Sequence, residues 1–195
     1  MVADALRRQA HLTVEVGLGP DLSPTGYRTS VRGLSVDGRF GFRQRSSHDV
    51  VAVDPCLVVH PLLAELIADG RFPDGEVVLR AGAATGERLV VVSRDDERTS
   101  VPEGVRVVTD EELRSGRRAW YFEEVAGRRW RISARSFFQS RPDGAEALVT
   151  SVAAALDGAT TSDGHLVDLY GGVGLFAGAL PTPGPITLVE VGASS

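Results

Sequence analysis

Along the first half of the chain, apolar residues recur with a period of two over short stretches, and turn-forming residues separate those stretches. After the end of a short helix at residues 5–10, residues 11–17 alternate as His-Leu-Thr-Val-Glu-Val-Gly, the pattern of a half-buried strand. Residues 27–35 and 39–45 flank Val36-Asp37-Gly38, and an Asp-Gly pair is a strong hairpin signal because both residues tolerate positive φ. A further strand is expected at residues 49–54. Residues 61–69 break the alternation: Leu62, Leu63, Leu66 and Ile67 fall at helical spacing, and Gly70 is a natural stop. Residues 76–81 and 87–93 predict a second hairpin across 82–86, and the polar residues 95–104 predict a loop. This half reads as an antiparallel sheet with one helix, an α+β module.

Residues 119–125 and 128–133 predict a third hairpin around Ala126-Gly127. The period then changes. Residues 144–156 set Ala147, Leu148, Val152, Ala155 and Leu156 on one helical face, after Pro142-Asp143 as a helix start. An apolar strand at 165–170 runs into Gly171-Gly172-Val173-Gly174, a short helical stretch follows at 175–180, and a second apolar strand covers 186–191. Strand, glycine turn, helix and strand is the opening of a doubly wound parallel sheet. One such unit cannot bury both faces of a sheet, so further strands are expected beyond residue 195. The boundary between the halves is expected within residues 114–118.

Composition narrows the field. At 195 residues, 43% hydrophobic and 24% charged, the chain has the make-up of a folded globular protein. No apolar run approaches the roughly 20 residues that span a bilayer, and the arginine-rich N-terminus lacks a secretory signal, so no membrane and a cytoplasmic location are expected. All 21 basic residues are arginine, yet the net charge is −5, which argues against a large nucleic-acid footprint. Arginine clusters at 39–45, 114–118 and 128–135 keep a local contact open. A single cysteine, Cys56, excludes an internal disulfide and a multi-cysteine metal site, and its plain reading is a small buried residue. His48 and His60 bracket it, but in no standard zinc spacing.

The richest chemical signal is Asp168-Leu-Tyr170-Gly-Gly172-Val-Gly174. Glycines at a strand's carboxyl end let a ligand approach the backbone. Gly172, Gly174 and Ala177 satisfy the dinucleotide pattern literally. An adenosylmethionine site also uses such a turn but carries an acidic residue in the strand before it, where Asp168 stands. A pyrophosphate disfavours a carboxylate there, whereas a ligand bearing a sulfonium and an ammonium tolerates one. Glu190, about twenty residues on, suits ribose hydroxyls in either case. A plain glycine turn with no ligand is the third reading. Ser136-Phe137-Phe138-Gln139 is either core or a clamp for a planar base with a carboxamide to hydrogen-bond it.

In this order the clusters resemble the S-adenosylmethionine-dependent RNA uracil-5-methyltransferase family, which modifies tRNA and 23S rRNA. The resemblance rests on Gly26-Tyr-Arg, Gly41-Phe-Arg, Ser47-His48, Val53-Asp-x-Cys56 and His60-Pro61, then Phe137-Phe138-Gln139, Asp168–Gly174 and Glu190. It implies an α+β, β-rich central module over residues 1–116, followed at 117–195 by the start of an α/β Rossmann-like methyltransferase domain. It further implies that Gln139, Asp168, Tyr170, Gly172, Gly174 and Glu190 contact S-adenosyl-L-methionine, and that the partner of the complete, monomeric protein is tRNA or rRNA. Cys56 matches the fourth ligand of a 4Fe-4S cluster found in many members; the other three cysteines are absent here. In the family, a cysteine adds to carbon 6 of uracil, carbon 5 takes the methyl group, and a glutamate removes the carbon 5 proton. Both catalytic groups are expected beyond residue 195, so no residue of this chain is assigned a catalytic role and the chain is expected to be inactive alone.

Overall fold

The computed structural model describes residues 1–47, 49–53, 56–157 and 164–192. It opens with helix α1 (Val2–Gln9), none of whose residues is buried. Residues 11–17 form no strand, and Leu12, Val14 and Val16 stay exposed. Their alternation is real, but an extended segment needs a hydrogen-bonded neighbour, and no described strand lies beside it.

The first hairpin forms as its turn chemistry predicts. Strands β1 (Ser30–Val36) and β2 (Arg39–Arg43) are joined by Asp37 and Gly38, both at positive φ. With β3 (Val50–Ala52), β4 (Gly75–Ala81), β5 (Arg88–Val92) and β6 (Val105–Thr109) they make one sheet in the order β3-β2-β1-β4-β5-β6. Every pairing is antiparallel except the last: β6 lies parallel to β5. That corrects the expectation of an antiparallel sheet. Residues 93–104 supply the crossover of about a dozen residues that a parallel pair needs. The crossover is pinned midway, where Arg71 and Ser100 exchange backbone hydrogen bonds of 2.7 and 2.9 Å. Helix α2 (Pro61–Asp69) starts on Pro61, and the His60 ring nitrogen accepts from the Leu62 N–H.

Each face of the sheet covers a separate core. On one side Phe40, Phe72, Val77, Leu79, Val90 and Val92 pack against Leu63, Leu66 and Ile67 of α2. On the other, Leu89, Val91 and Val108 meet the second half of the chain. Strand β5 serves both, because successive side chains point to opposite faces. Helix α3 (Asp110–Arg114) follows β6 directly. Its capping box is complete: Thr109 Oγ1 accepts from the Glu112 N–H, and the Glu112 carboxylate accepts from the Thr109 N–H.

Strands β7 (Trp120–Val125) and β8 (Arg128–Ser133) form the third hairpin, and α4 (Pro142–Leu156) packs on it through Ala145 and Val149. Strands β9 (Leu166–Leu169) and β10 (Ile186–Val189) pair in parallel around α5 (Leu175–Ala179), as the glycine-turn pattern predicts. Among the described residues no helix is long and apolar enough to cross a membrane.

Candidate functional site

The site begins where β9 ends. Tyr170 has φ 58°, a left-handed conformation that a side-chain-bearing residue rarely holds, and its ring is 86% exposed. Such backbone strain collects at functional positions. Gly172 and Gly174 follow with φ of 58° and 86°, and the Gly174 N–H closes the turn on the Gly171 carbonyl at 2.8 Å. A Cβ at Gly172 would meet only the Phe137 carbonyl oxygen, at 3.9 Å, so the turn keeps an open edge where a ligand can reach the backbone. Behind it, α5 rests on Trp130; a Cβ at Gly178 would overlap the Trp130 ring.

Two carboxylates brace this turn from different strands. Asp168 Oδ2 accepts from the Ala177 N–H at 3.1 Å, which ties β9 to α5. Glu190, immediately after β10, accepts through Oε2 from the Gly172 N–H at 2.8 Å. Its Oε1 accepts from Gly192 at 2.7 Å and Val191 at 2.9 Å. The N–H of Gly192, followed by those of Gly172 and Val191, holds the Glu190 carboxyl below the ordinary glutamate range, against a smaller opposing effect of desolvation. Glu190 is therefore an anion at neutral pH with its orientation set by the backbone.

The Phe137–Gln139 segment comes to the same place from outside the parallel pair. Its two aromatics part company: Phe138 is 7% exposed within the core, while Phe137 is 73% exposed. The segment is strung between one anchor in the first sheet and one just before its strand β1. Arg80 Nη1 donates to the Ser136 carbonyl at 2.6 Å, and the Thr29 N–H donates to the Ser140 carbonyl at 2.8 Å. Those anchors set the Phe137 carbonyl beside Gly172 and leave Gln139 half-buried. Neither Arg80 nor Thr29 was flagged by the sequence pattern, because their partners lie far away in the chain.

The remaining candidates lie elsewhere. Cys56 is half-buried against the α2 core, and the motif pieces around it do meet: Gly26 and Arg28 donate to the Leu57 and Val58 carbonyls, and His60 donates back to Arg28. His48 and Asp54 lie outside the described residues. The described residues do not fit an iron–sulfur cluster: Cys56 is the one cysteine in the chain, and no three His, Cys, Asp or Glu side chains among them gather around a metal position.

Comparison with known proteins gives this geometry a context. No family model matches the chain. An uncharacterized RNA methyltransferase of Streptomyces avermitilis is 33% identical over 205 residues, which cover 92% of this chain and 47% of that protein. One from Corynebacterium glutamicum is 36% identical over 167 residues, covering 80% and 39%. Among solved structures, the Pyrococcus abyssi tRNA (uracil-54, C5)-methyltransferase in complex with S-adenosyl-L-homocysteine superposes with a TM-score of 0.64 at 19% identity, over 98% of this chain and 62% of that one. Over 80–92% of its length the chain is similar to proteins named RNA methyltransferases. Its mixed α/β architecture is that of the Pyrococcus enzyme, and it spans about half the length of the curated relatives it matches.

Proposed function

We propose that this chain carries the S-adenosyl-L-methionine-binding part of an enzyme that methylates carbon 5 of uridine in tRNA or rRNA. The observation that carries the reading is the convergence of Phe137–Gln139, the Gly172–Gly174 turn and Glu190, which are far apart in sequence. The donor set fits the cofactor. Glu190 offers a fixed anion at a strand end for ribose hydroxyls, and Gly172 offers open backbone. Asp168 supplies a carboxylate for a cationic ligand, Tyr170 is exposed beside the turn, and Gln139 follows two residues after Phe137. When bound, the cofactor supplies an electrophilic methyl group on a sulfonium; these residues bind and orient it.

The reading divides the chain into a central module over residues 1–116 and the first part of the cofactor domain over 117–195. Cys56 belongs to the α2 core rather than to the turn, so the chain by itself is assigned cofactor binding and not methyl transfer. Calorimetric titration of the full chain with S-adenosylhomocysteine and with NAD tests the reading. S-adenosylhomocysteine should bind and NAD should not displace it; preferential NAD binding would overturn the assignment in favour of a dinucleotide site.

A further inference from the structure

The β7–β8 hairpin buries one face and turns the other to solvent. Its register pairs Trp120 with Ser133 and Phe122 with Arg131, so these four share the outer face, while Tyr121, Trp130 and Ile132 enter the core. Along that outer face, and along the residues that follow α3, runs an open groove of about 540 Å³. Arg117, Arg118, Arg131 and Arg135 line it together with Trp120 and Ser133, and its lining contains no carboxylate. In a protein of net charge −5, this is a local reversal of sign. Two separate arginine clusters of the sequence, at 114–118 and 128–135, come together to make it.

The arginines are not all neutralised. Arg117 pairs with Glu112 and Arg135 with Asp110, both at the margin. Arg118 and Arg131 have no carboxylate partner among the described residues. The floor is aromatic. Half-buried Trp120 has the guanidinium groups of Arg131 and Arg106 at 5.5 and 5.9 Å from its ring centroid, and Arg106 also donates to the Trp120 carbonyl at 2.5 Å. Arg129 lies 4.2 Å from the Phe122 ring and continues the pattern along the hairpin. A basic groove with interleaved aromatic faces suits a single nucleic-acid strand: the guanidinium groups meet phosphates, and an aromatic ring takes a base. An acidic peptide would use the charges but leave the ring without a stacking partner.

We infer that the groove between α3 and the outer face of the β7–β8 hairpin binds single-stranded RNA, with Arg118 and Arg131 on phosphates and Trp120 stacked on a base. The choice of RNA over other polyanions rests on the proposed RNA methyltransferase function; the groove and its charge do not.

Fluorescence anisotropy of the full chain with a labelled oligouridylate, over a series of salt concentrations, tests it. Binding should weaken with salt, and R118A/R131A should lower the log–log salt slope by about 1.4, the value for two lost phosphate contacts on a single strand. W120F should abolish the tryptophan quench on binding, and W120A should weaken binding by about tenfold. Circular dichroism of each variant checks that the hairpin is intact. An unchanged slope in R118A/R131A, a quench that survives in W120F, or competition by polyglutamate equal to that by RNA would overturn the inference. S-adenosylhomocysteine binding is measured on the same samples. If it persists while RNA fails to use the groove, the groove assignment falls alone; if it is absent from the native chain, the cofactor reading falls on its own account.

Discussion

Asp168 and Glu190 are carboxylates beside one glycine turn, yet the turn holds them differently. Asp168 caps α5 through Ala177 with one oxygen, and its other oxygen has no hydrogen-bond partner among the described residues. Glu190 receives three backbone N–H groups. Replacing Asp168 by Asn keeps an acceptor for Ala177 and removes the charge, so Asp168→Asn should weaken S-adenosylhomocysteine binding by at least about tenfold while the melting temperature barely moves. Equal affinity by calorimetry would remove Asp168 from the site. Glu190 makes a prediction about pH. Its folded pKa is depressed, so what the ionised carboxylate contributes is present in full above the ordinary value of 4.5 and is lost as pH falls through the lowered folded value. Ligand affinity should therefore be level from about pH 8 down to the ordinary value of 4.5 and fall only below it, with Glu190→Gln showing no such fall. A decline already between pH 7 and 6 would point to another group. Both carboxylates and the glycines were legible in the sequence, because strand-end chemistry is local. The approach of the Phe137 carbonyl to Gly172 was not, since it depends on Arg80 of β4 and on Thr29 just before β1.

Helices and strands were predictable where neighbours in sequence decide them. The Asp37-Gly38 and Ala126-Gly127 hairpins, α2, α4 and the β9–α5–β10 unit follow from turn residues and periodicity. Helix α3 escaped although its signal was present: Thr109-x-x-Glu112 is a capping box, obscured by a run of charged residues with no apolar stripe. Thr109→Ala should cost about 1 kcal/mol by chemical denaturation. The parallel placement of β6 had no local signal, because a crossover loop and a hairpin loop of similar composition differ only in where the chain returns. Element packing sets the site's rear wall. Gly178 lets α5 sit on Trp130, so Gly178→Ala should cost about 1–3 kcal/mol and weaken ligand binding together with stability. Loss of neither would show that α5 can be displaced without consequence.

At the scale of the molecule, one sheet shared between two cores connects the halves that the sequence separates near residue 116. The change in periodicity was legible, but the sharing was not: β5 reads as a uniform apolar strand, and only the fold shows that Leu89 and Val91 pack with Trp130 and Ile132 while Val90 and Val92 pack with α2. Leu89→Ala removes a fully buried side chain at that junction and should cost about 2–5 kcal/mol. Because the core containing Leu89 crosses the proposed module boundary, hydrogen exchange should show amides of β4, β5 and β8 losing protection together. Separate unfolding of residues 1–116 and 117–195 would mean that this packing does not couple them.

The central claim is that Phe137–Gln139, the glycine turn and Glu190 form one cofactor site. Amide NMR of the labelled full chain, titrated with S-adenosylhomocysteine, tests this most directly. Saturable shifts should concentrate at Gln139, Tyr170, Gly172, Gly174 and Gly192, with matching affinities at all five. Shifts confined to the glycine turn while Gln139 stays unmoved, or centred away from these residues, would contradict the claim.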